Sequence, residues 1–214
     1  MTKTVYWQAC RDGALIPRQA KLGDVGFDLA AAVDAWIWPG QTLAIPTGLK
    51  VVLPAEIELQ IRPRSGLSLR THLRIPNSPG TIDPGYRDEI RVLIHHSAYG
   101  WENDLDKDAE LQELMAESFS GNADTAFDPE YIARCAAAVK RLGLKPHRYD
   151  LLERGWAPYH IKQGDRIAQA VPQLITLVEW QELDRTSIDE AEAKSVPDRE
   201  GGFASSGYGS GESR

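Results

Sequence analysis

Residues 77–89 of the chain read Asn-Ser-Pro-Gly-Thr-Ile-Asp-Pro-Gly-Tyr-Arg-Asp-Glu. The two Pro-Gly pairs predict turns, and residues 90–94 that follow alternate between apolar and polar, which is the period of a strand. Between the turns, the backbone N–H and C=O groups need partners outside a strand ladder. Two interpretations stay open for this stretch alone. It is an ordinary hairpin with a solvated Asp83, or a hairpin that binds a planar base with the Tyr86 ring nearby.

The composition, 42% hydrophobic and 26% charged, is typical of a soluble globular protein. Its 214 residues allow one large domain, or one domain with an insertion. The net charge of −7 argues against a broad nucleic-acid-binding surface. The sequence shows no apolar run of membrane-spanning length and no signal-peptide core after Met1. We therefore expect a cytoplasmic protein, with neither nucleic acid nor membrane as a partner.

Short strands between Gly and Pro turns dominate the pattern on both sides of the hairpin. Residues 57–62 alternate cleanly, and residues 43–52 and 159–171 also read as strands. A further strand is predicted at 174–183. The predicted fold class is therefore mainly β, an all-β barrel or sandwich.

Residues 98–158 interrupt this pattern with helix signals. One helix is predicted over 104–119, with a Leu and Met stripe that we expect to pack rather than to bind a ligand. A second is predicted over 130–142, with Asp128 as its N-cap and Gly143 as its C-terminal stop. The segment is thus predicted to be an α-helical insertion within a β domain.

The C-terminal part of the chain is polar and then rich in Gly and Ser. The predicted organisation is a β domain at 1–97 and 159–183, the insertion at 98–158, and a linker with a C-terminal arm at 184–214. The arm contains Arg199, Phe203, Ser205 and Ser206. On composition alone, such a segment is either a disordered tail or one that becomes ordered over a bound anion and base.

One predicted strand ends in polar side chains suited to an anion, and polar residues on two other strands have roles that stay open. The Arg-Ser-Gly sequence at 64–66 offers a guanidinium, a hydroxyl and an approachable backbone to a phosphate. The alternative is a basic surface loop followed by a short helix capped by Ser65. Asp28 is either a turn-stabilising side chain or a carboxylate in a pocket. Arg166 and Gln169, taken alone, read as ordinary polar residues on a strand.

Taken in order, five segments resemble the five motifs of the trimeric dUTPases (deoxyuridine triphosphate nucleotidohydrolases). The segments are residues 26–29, 63–66, 77–86, 164–169 and 199–207. The resemblance implies a dUTPase-like β-barrel (jelly-roll) subunit and a homotrimer with shared active sites. It also implies Mg²⁺-dependent hydrolysis of dUTP to dUMP and diphosphate, which keeps uracil out of DNA and supplies dUMP for dTMP synthesis.

The resemblance gives the hairpin residues their expected roles. Asp83 corresponds to the carboxylate that orients and activates the attacking water. Tyr86 corresponds to the aromatic ring that packs under the deoxyribose and leaves no room for a 2′-hydroxyl. Asn77 and the hairpin backbone, with Gly80 and Ile82, would read the uracil edge and exclude the methyl group of thymine.

The resemblance also implies how the triphosphate is held. Phosphate binding falls to Arg64, Ser65, Gly66 and Gln169. Mg²⁺ would be held mainly by triphosphate oxygens and waters, with Asp28 as an outer-shell carboxylate. The arm would bind the substrate on a neighbouring subunit, with the Phe203 ring over the uracil. The arm residues expected to do so are Arg199, Phe203, Ser205 and Ser206.

Three features depart from the family pattern. Asp88 replaces a usual Gly, the arm is one residue shorter than usual between Arg199 and Phe203, and compact members lack the insertion. Inserts at this place can serve protein–protein recognition in phage-borne relatives, which raises a protein partner for the insertion as a hypothesis.

Two alternative functions remain open. A dCTP deaminase of the same fold would need a general acid/base carboxylate on the strand after Tyr86, where Leu93 stands. A nucleotide-gated binding protein would act through the insertion, and its binding would survive the loss of Asp83.

Overall fold

The computed structural model describes residues 2–98, 108–119, 125–143, 158–176, 178–180 and 182. Its strands are β1 Tyr6–Ala9, β2 Phe27–Ala30, β3 Ala35–Ile37, β4 Thr42–Pro46, β5 Leu49–Val52, β6 Ile57–Arg62, β7 Leu73–Arg74, β8 Gly80–Ile82, β9 Arg91–His96, β10 Tyr159–Ile161 and β11 Arg166–Leu174. Its helices are α1 Ser65–Arg70, α2 Ala109–Phe119 and α3 Pro129–Arg141, with a 3₁₀ turn at Thr125–Phe127.

The alternating sequences form strands with one buried face, as predicted. In β6, Ile57, Leu59 and Ile61 are buried, while the polar residues between them are half-buried. In β9, Val92 and Ile94 repeat the pattern. Because a one-residue slip would turn these side chains to the wrong face, the burial fixes the register of each strand.

The strand pairs of the described residues are all antiparallel and form four sheets. The largest has the order β2-β11-β6-β8, and the others are β4-β9-β7, β1-β5 and β10-β3. Their apolar faces share one core, to which Leu29, Ile45, Leu59 and Ile94 belong. The fold is therefore mainly β, as predicted. The described strands nevertheless form open sheets rather than a closed barrel, because β3, β7 and β10, with two or three residues each, offer few ladder hydrogen bonds.

The strand predicted at 174–183 is wrong for the residues described there. β11 runs without a break from Arg166 to Leu174, and residues 175, 176, 178–180 and 182 have no regular secondary structure. Pro172 lies within β11 because pairing with β2 ends at Ala170, which leaves β11 with an open edge at the proline.

Helix α3 forms where its caps predicted it, and α2 lies within the range predicted for the first helix. The Asp128 carboxylate accepts hydrogen bonds from the N–H groups of Glu130 (2.8 Å) and Tyr131 (3.1 Å), which confirms it as the N-cap of α3. Gly143 follows the helix with φ of 63°, the left-handed conformation that ends helices at glycine.

The insertion packs onto β3 through a second apolar cluster. Trp36 of β3 and Trp38, which directly follows β3, meet both helices there. The Trp38 indole N–H donates to the Tyr131 hydroxyl at 3.2 Å, and that hydroxyl donates to the Leu114 carbonyl at 3.0 Å. The predicted stripe is buried in this cluster, which confirms its packing role; it consists of Leu111, Leu114 and Met115.

Residues Met1–Thr176 cluster as one compact unit, which holds both the strands and the insertion helices, and Leu177–Arg214 cluster as a second. The predicted divisions at 97/98, 158/159 and 183/184 stay predictions, because each adjoins residues outside the described ranges. Within those ranges, no helix has the length and apolar character needed to cross a bilayer.

Candidate active site

Three strands of the largest sheet bring three of the five segments together. Asp28 of β2 lies opposite Gln169 of β11, which lies opposite Arg62 at the end of β6. Arg64 follows, and Ser65 begins α1. The short helix is thus present, but Ser65 is its first residue and not its cap, so that part of the alternative is wrong. Arg64 occupies the N-cap position without a capping hydrogen bond.

Asp28 is the centre of a charged cluster in this row. Arg64 Nε donates to its Oδ1 at 2.7 Å, and Arg166 Nη1 donates to its Oδ2 at 3.0 Å. Arg64 Nη1 also donates to the carbonyl oxygen of Arg166 at 3.2 Å. The Asp28 and Arg64 side chains are only 19% and 25% exposed, so they are held firmly. Two guanidinium groups around one carboxylate leave a net positive charge, which favours an anion.

Gln169 is held beside this cluster by close packing against Gly26. Its Nε2 donates to the carbonyl oxygen of Pro63 at 2.9 Å. A Cβ atom on Gly26 would collide with the Gln169 amide oxygen, so only glycine allows this approach. The resulting cleft has a volume of about 410 Å³ and is lined by Gly26, Asp28, Arg62, Arg64, Ser65 and Gln169.

The hairpin segment forms a second cluster. Gly80 and Ile82 are buried in β8, which pairs with β6, whereas Asn77 and Asp83 are exposed. The Tyr86 N–H donates to the Asp83 carbonyl at 3.0 Å, which closes the predicted second turn. The carboxylate of Asp83 therefore projects from a turn of defined shape.

The Tyr86 ring is fixed at its far end as well. Its hydroxyl donates to the carbonyl oxygen of Glu89 at 2.8 Å. Burial raises the pKa of the Tyr86 phenol above its ordinary value, and the negative charge of Asp88 adds to the shift. A phenol is protonated at neutral pH even at its ordinary pKa, so the Tyr86 hydroxyl can donate this hydrogen bond.

The two clusters lie apart within one chain. β2 and β8 are the outer strands of the four-stranded sheet, three strand spacings or roughly 14 Å apart. Ile82 pairs with Leu59, so the next residue, Asp83, is level with a position four residues from the Arg62 row, which adds roughly 13 Å along the strands. Asp83 is thus roughly 19 Å from Asp28, too far for both to act on one phosphate group.

The structure therefore joins five of the predicted residues and separates others from them. The cleft contains Asp28, Arg64, Ser65, Gly66 and Gln169. Asp83 and Tyr86 do not line it. The predicted arm residues lie outside the described ranges; they are Arg199, Phe203, Ser205 and Ser206. In the part of the chain that the structure describes, no group of three or more His, Cys, Asp or Glu side chains is placed to hold a metal ion.

Arg166 does not line the cleft, but it donates to the Asp28 carboxylate there, a role that the sequence interpretation missed. A single arginine on a strand cannot be told from a surface residue by its pattern. The available signal was its position directly after the Gly164-Asp165 turn, where β11 begins beside Asp28. The sequence interpretation also gave no role to Arg11 or Glu89. In the structure, the Arg11 guanidinium donates two hydrogen bonds to the Glu89 carboxylate, at the end of the hairpin segment.

Known proteins match this chain over most of its length. Residues 12–99 match the family model for dUTPase. A deoxyuridine 5′-triphosphate nucleotidohydrolase from Mycobacterium sp. (strain JLS) is 34% identical over 192 residues, which covers 90% of this chain and 87% of the relative. The chain belongs to the dUTPase family. The resemblance inferred from the five segments is thereby confirmed.

Two solved dUTPase structures share its fold. A mutant of the Staphylococcus bacteriophage 80alpha dUTPase with dUpNHpp has a TM-score of 0.64 at 25% identity, covering 96% of this chain and 99% of that one. A mutant dUTPase from phage phi11 of S. aureus has a TM-score of 0.60 at 21% identity, covering 85% of this chain and 97% of that one. The phi11 structure reveals the coordination of a structural Mg(II) ion.

Proposed function

We propose that this protein hydrolyses dUTP to dUMP and diphosphate by attack of water at the α-phosphate. The observation that carries the proposal is the cleft in which Asp28, Arg64 and Gln169, from three separate dUTPase segments, meet. Guanidinium, hydroxyl and amide donors at one place match the charge and the hydrogen-bond acceptors of a triphosphate.

Arg64, Ser65, Gly66 and Gln169 would bind the phosphates. Arg64 uses Nε and Nη1 in its bonds to Asp28 and to the backbone, so its Nη2 group is left for a phosphate oxygen among the contacts described. Fixing the guanidinium beforehand lowers the entropy that substrate binding has to overcome.

The hairpin would supply the water-activating carboxylate and the nucleoside pocket. Asp83 would orient and activate the attacking water, and Tyr86 would pack under the deoxyribose. Asn77, Gly80 and Ile82 would shape the uracil site. A Cβ atom on Gly80 would come within 3.2 Å of the Asn77 Nδ2 atom, so a side chain there would displace the amide.

The active sites are proposed to be shared between subunits of a homotrimer. The separation of roughly 19 Å between Asp83 and Asp28 supports this, because the cleft of one copy then needs the hairpin of another. The C-terminal arm of a neighbouring copy would close the site with Arg199, Phe203, Ser205 and Ser206.

Mg²⁺ is proposed as the cofactor, bound mainly to the triphosphate. Both carboxylate oxygens of Asp28 already accept hydrogen bonds from Arg64 and Arg166, so Asp28 fits an outer-shell position reached through water. The ion would supply neutralisation of the phosphate charge. Arg64 and Arg166 would in turn keep the Asp28 carboxylate in one orientation.

The test is diphosphate release from dUTP, dTTP, dCTP and UTP with Mg²⁺. We expect release from dUTP alone. Asp83→Asn should reduce the rate by about 10²–10⁴-fold, the range of general-base contributions. Asp88→Asn is the matched control, since it neutralises another exposed aspartate of the same turn region and should retain the rate.

Other outcomes would contradict the proposal. Binding of dUTP without cleavage would favour the nucleotide-gated binding protein, and the insertion would then be the place to seek a protein partner. Release of ammonia from dCTP would indicate a deaminase. The aliphatic Leu93, which pairs with Ala44 between β9 and β4, argues against that chemistry.

A further inference from the structure

Glu89 lies where the N-terminal segment, the loop after β4 and the hairpin meet. Its Oε1 accepts hydrogen bonds from the Gly48 N–H at 2.8 Å and from Arg11 Nε at 3.1 Å, and its Oε2 accepts from Arg11 Nη2 at 3.1 Å. Arg91 Nε lies 3.4 Å from the same Oε2. The Glu89 side chain is only 13% exposed. A two-pronged guanidinium and a backbone N–H give this carboxylate one defined position.

The backbone of Glu89 holds the Tyr86 ring. The Tyr86 hydroxyl donates to the Glu89 carbonyl at 2.8 Å, and the Tyr86 N–H donates to the Asp83 carbonyl at 3.0 Å. The next residue is fixed too, because the Ile90 carbonyl accepts from the N–H and Oγ1 of Thr47 at 3.2 and 2.7 Å. The Glu89 side chain therefore anchors the same residue whose carbonyl holds the ring.

Gly48 makes this junction close-packed. Its φ is +69°, and a Cβ atom there would lie 2.7 Å from Ala14 Cβ and 3.2 Å from Arg11 Cβ. The N-terminal segment is therefore pressed against the loop. Arg11 cannot shift far without moving the contact between Gly48 and Glu89.

We propose that Arg11 and Glu89 are positioning residues for the Tyr86 ring, and that they set the preference of the site for deoxyribose over ribose. The inference rests on the proposed function, in which Tyr86 packs under the sugar. Rejecting a 2′-hydroxyl by shape requires a ring that cannot retreat, since a displacement of about 1 Å changes such a fit greatly. Arg11 lies outside all five family segments.

The experiment compares Arg11→Met and Glu89→Gln with the wild type. The measurements are kcat/KM for dUTP and UTP, and the dissociation constants of dUDP and UDP. We expect the preference for the deoxynucleotide to fall about tenfold in both ratios. Arg11→Lys keeps the charge and should recover part of the preference. Arg134→Met is the matched control, because it removes a guanidinium that makes two 3.0 Å bonds to Glu117 in the insertion.

If Arg11 and Glu89 only stabilise the fold, the variants will keep the wild-type ratio of kcat/KM for dUTP to kcat/KM for UTP, and the wild-type ratio of the two affinities. Loss of folded protein lowers the rates for dUTP and UTP alike, so unchanged ratios in both variants would overturn the inference. If Glu89→Gln fails to fold, Arg11→Met still tests the inference, because in that variant the Glu89 carboxylate still accepts the hydrogen bond from the Gly48 N–H. The affinity ratio needs no hydrolysis. A wild type that releases no diphosphate would therefore overturn the proposed function alone, and the affinities would still decide the positioning role.

Discussion

Gly26 and Gln169 pack against each other between β2 and β11 with no room for another carbon atom. Asp28 lies two residues further along β2, where Arg64 and Arg166 both donate to it. Each side chain of this row is thus held by a neighbour in the row. Because side chains packed this closely transmit small displacements, one methyl group added at Gly26 should weaken the binding of the phosphates.

Gly26→Ala is expected to push the Gln169 amide away from the Pro63 carbonyl and to raise KM for dUTP about tenfold, with the fold retained. Steady-state kinetics of Gly26→Ala, Gln169→Ala and the double variant check this. Since the collision is with the Gln169 side chain, the double variant should match Gln169→Ala. Fully additive losses would show that Gly26 acts in another way.

At the level of elements, the insertion helices pack beside β3, through the apolar cluster that contains Trp36. β3 pairs with β10, and β10 leads into the Gly164-Asp165 turn and then to Arg166 in β11. Helices α2 and α3 form the insertion side of this contact. The Tyr131 hydroxyl lies there between the Trp38 indole N–H and the Leu114 carbonyl. This hydroxyl links α3 by hydrogen bonds both to Trp38 and to α2.

Tyr131→Phe should destabilise the docked insertion by about 1–3 kcal/mol, because the buried Trp38 N–H loses its acceptor. The measurement is alkylation of Cys135 in a Cys10→Ser background. Burial raises the pKa of the Cys135 thiol to about 11, so it should react when the insertion opens. We expect the rate to rise about tenfold.

The control for this prediction is Tyr6→Phe, which removes a hydroxyl from a tyrosine that is 65% exposed. Its Cys135 should react at the wild-type rate. If Cys135 in Tyr131→Phe were alkylated no faster than in the wild type, the Tyr131 hydroxyl would contribute little to docking. Hydrolysis of dUTP should be retained by both variants, since neither residue lines the cleft.

At the level of the whole molecule, the separation of the two clusters makes a prediction about mixtures. Asp83→Asn damages the hairpin and leaves the cleft intact, whereas Arg64→Ala does the reverse. If sites form between copies, refolding the two variants together should restore about a quarter of the wild-type dUTP hydrolysis, because a site needs an intact half from each partner. Each variant refolded alone is the control. No recovery in the mixture would indicate that one chain completes its own site.

The elements that could be predicted from the sequence are those with a local signal. Alternation at Ile57 to Ile61 and the cap at Asp128 depend on residues a few positions apart, and both were correct. The docking of Trp38 on Tyr131 joins residues 93 positions apart, for which the sequence carries no local pattern. The closed barrel was not found among the described strands, because sheet closure depends on the length and pairing of every strand.

The candidate site also contains some features that could be predicted from the sequence and others that could not. Arg64 and Gln169 were found through motif resemblance, and the sheet register places them together. The distance between Asp83 and Asp28 follows from strand order, which no motif encodes. Arg11 was overlooked because an isolated arginine gains meaning only from the carboxylate it meets in the fold.

A single chain thus carries the predicted cleft and the predicted water-activating carboxylate, and yet it holds them roughly 19 Å apart. Newly made chains would then be inert until they encounter one another. Activity would rise more steeply than abundance when expression is low, and it would fade on dilution. Such a protein would sense its own concentration before it begins to draw down the dUTP pool.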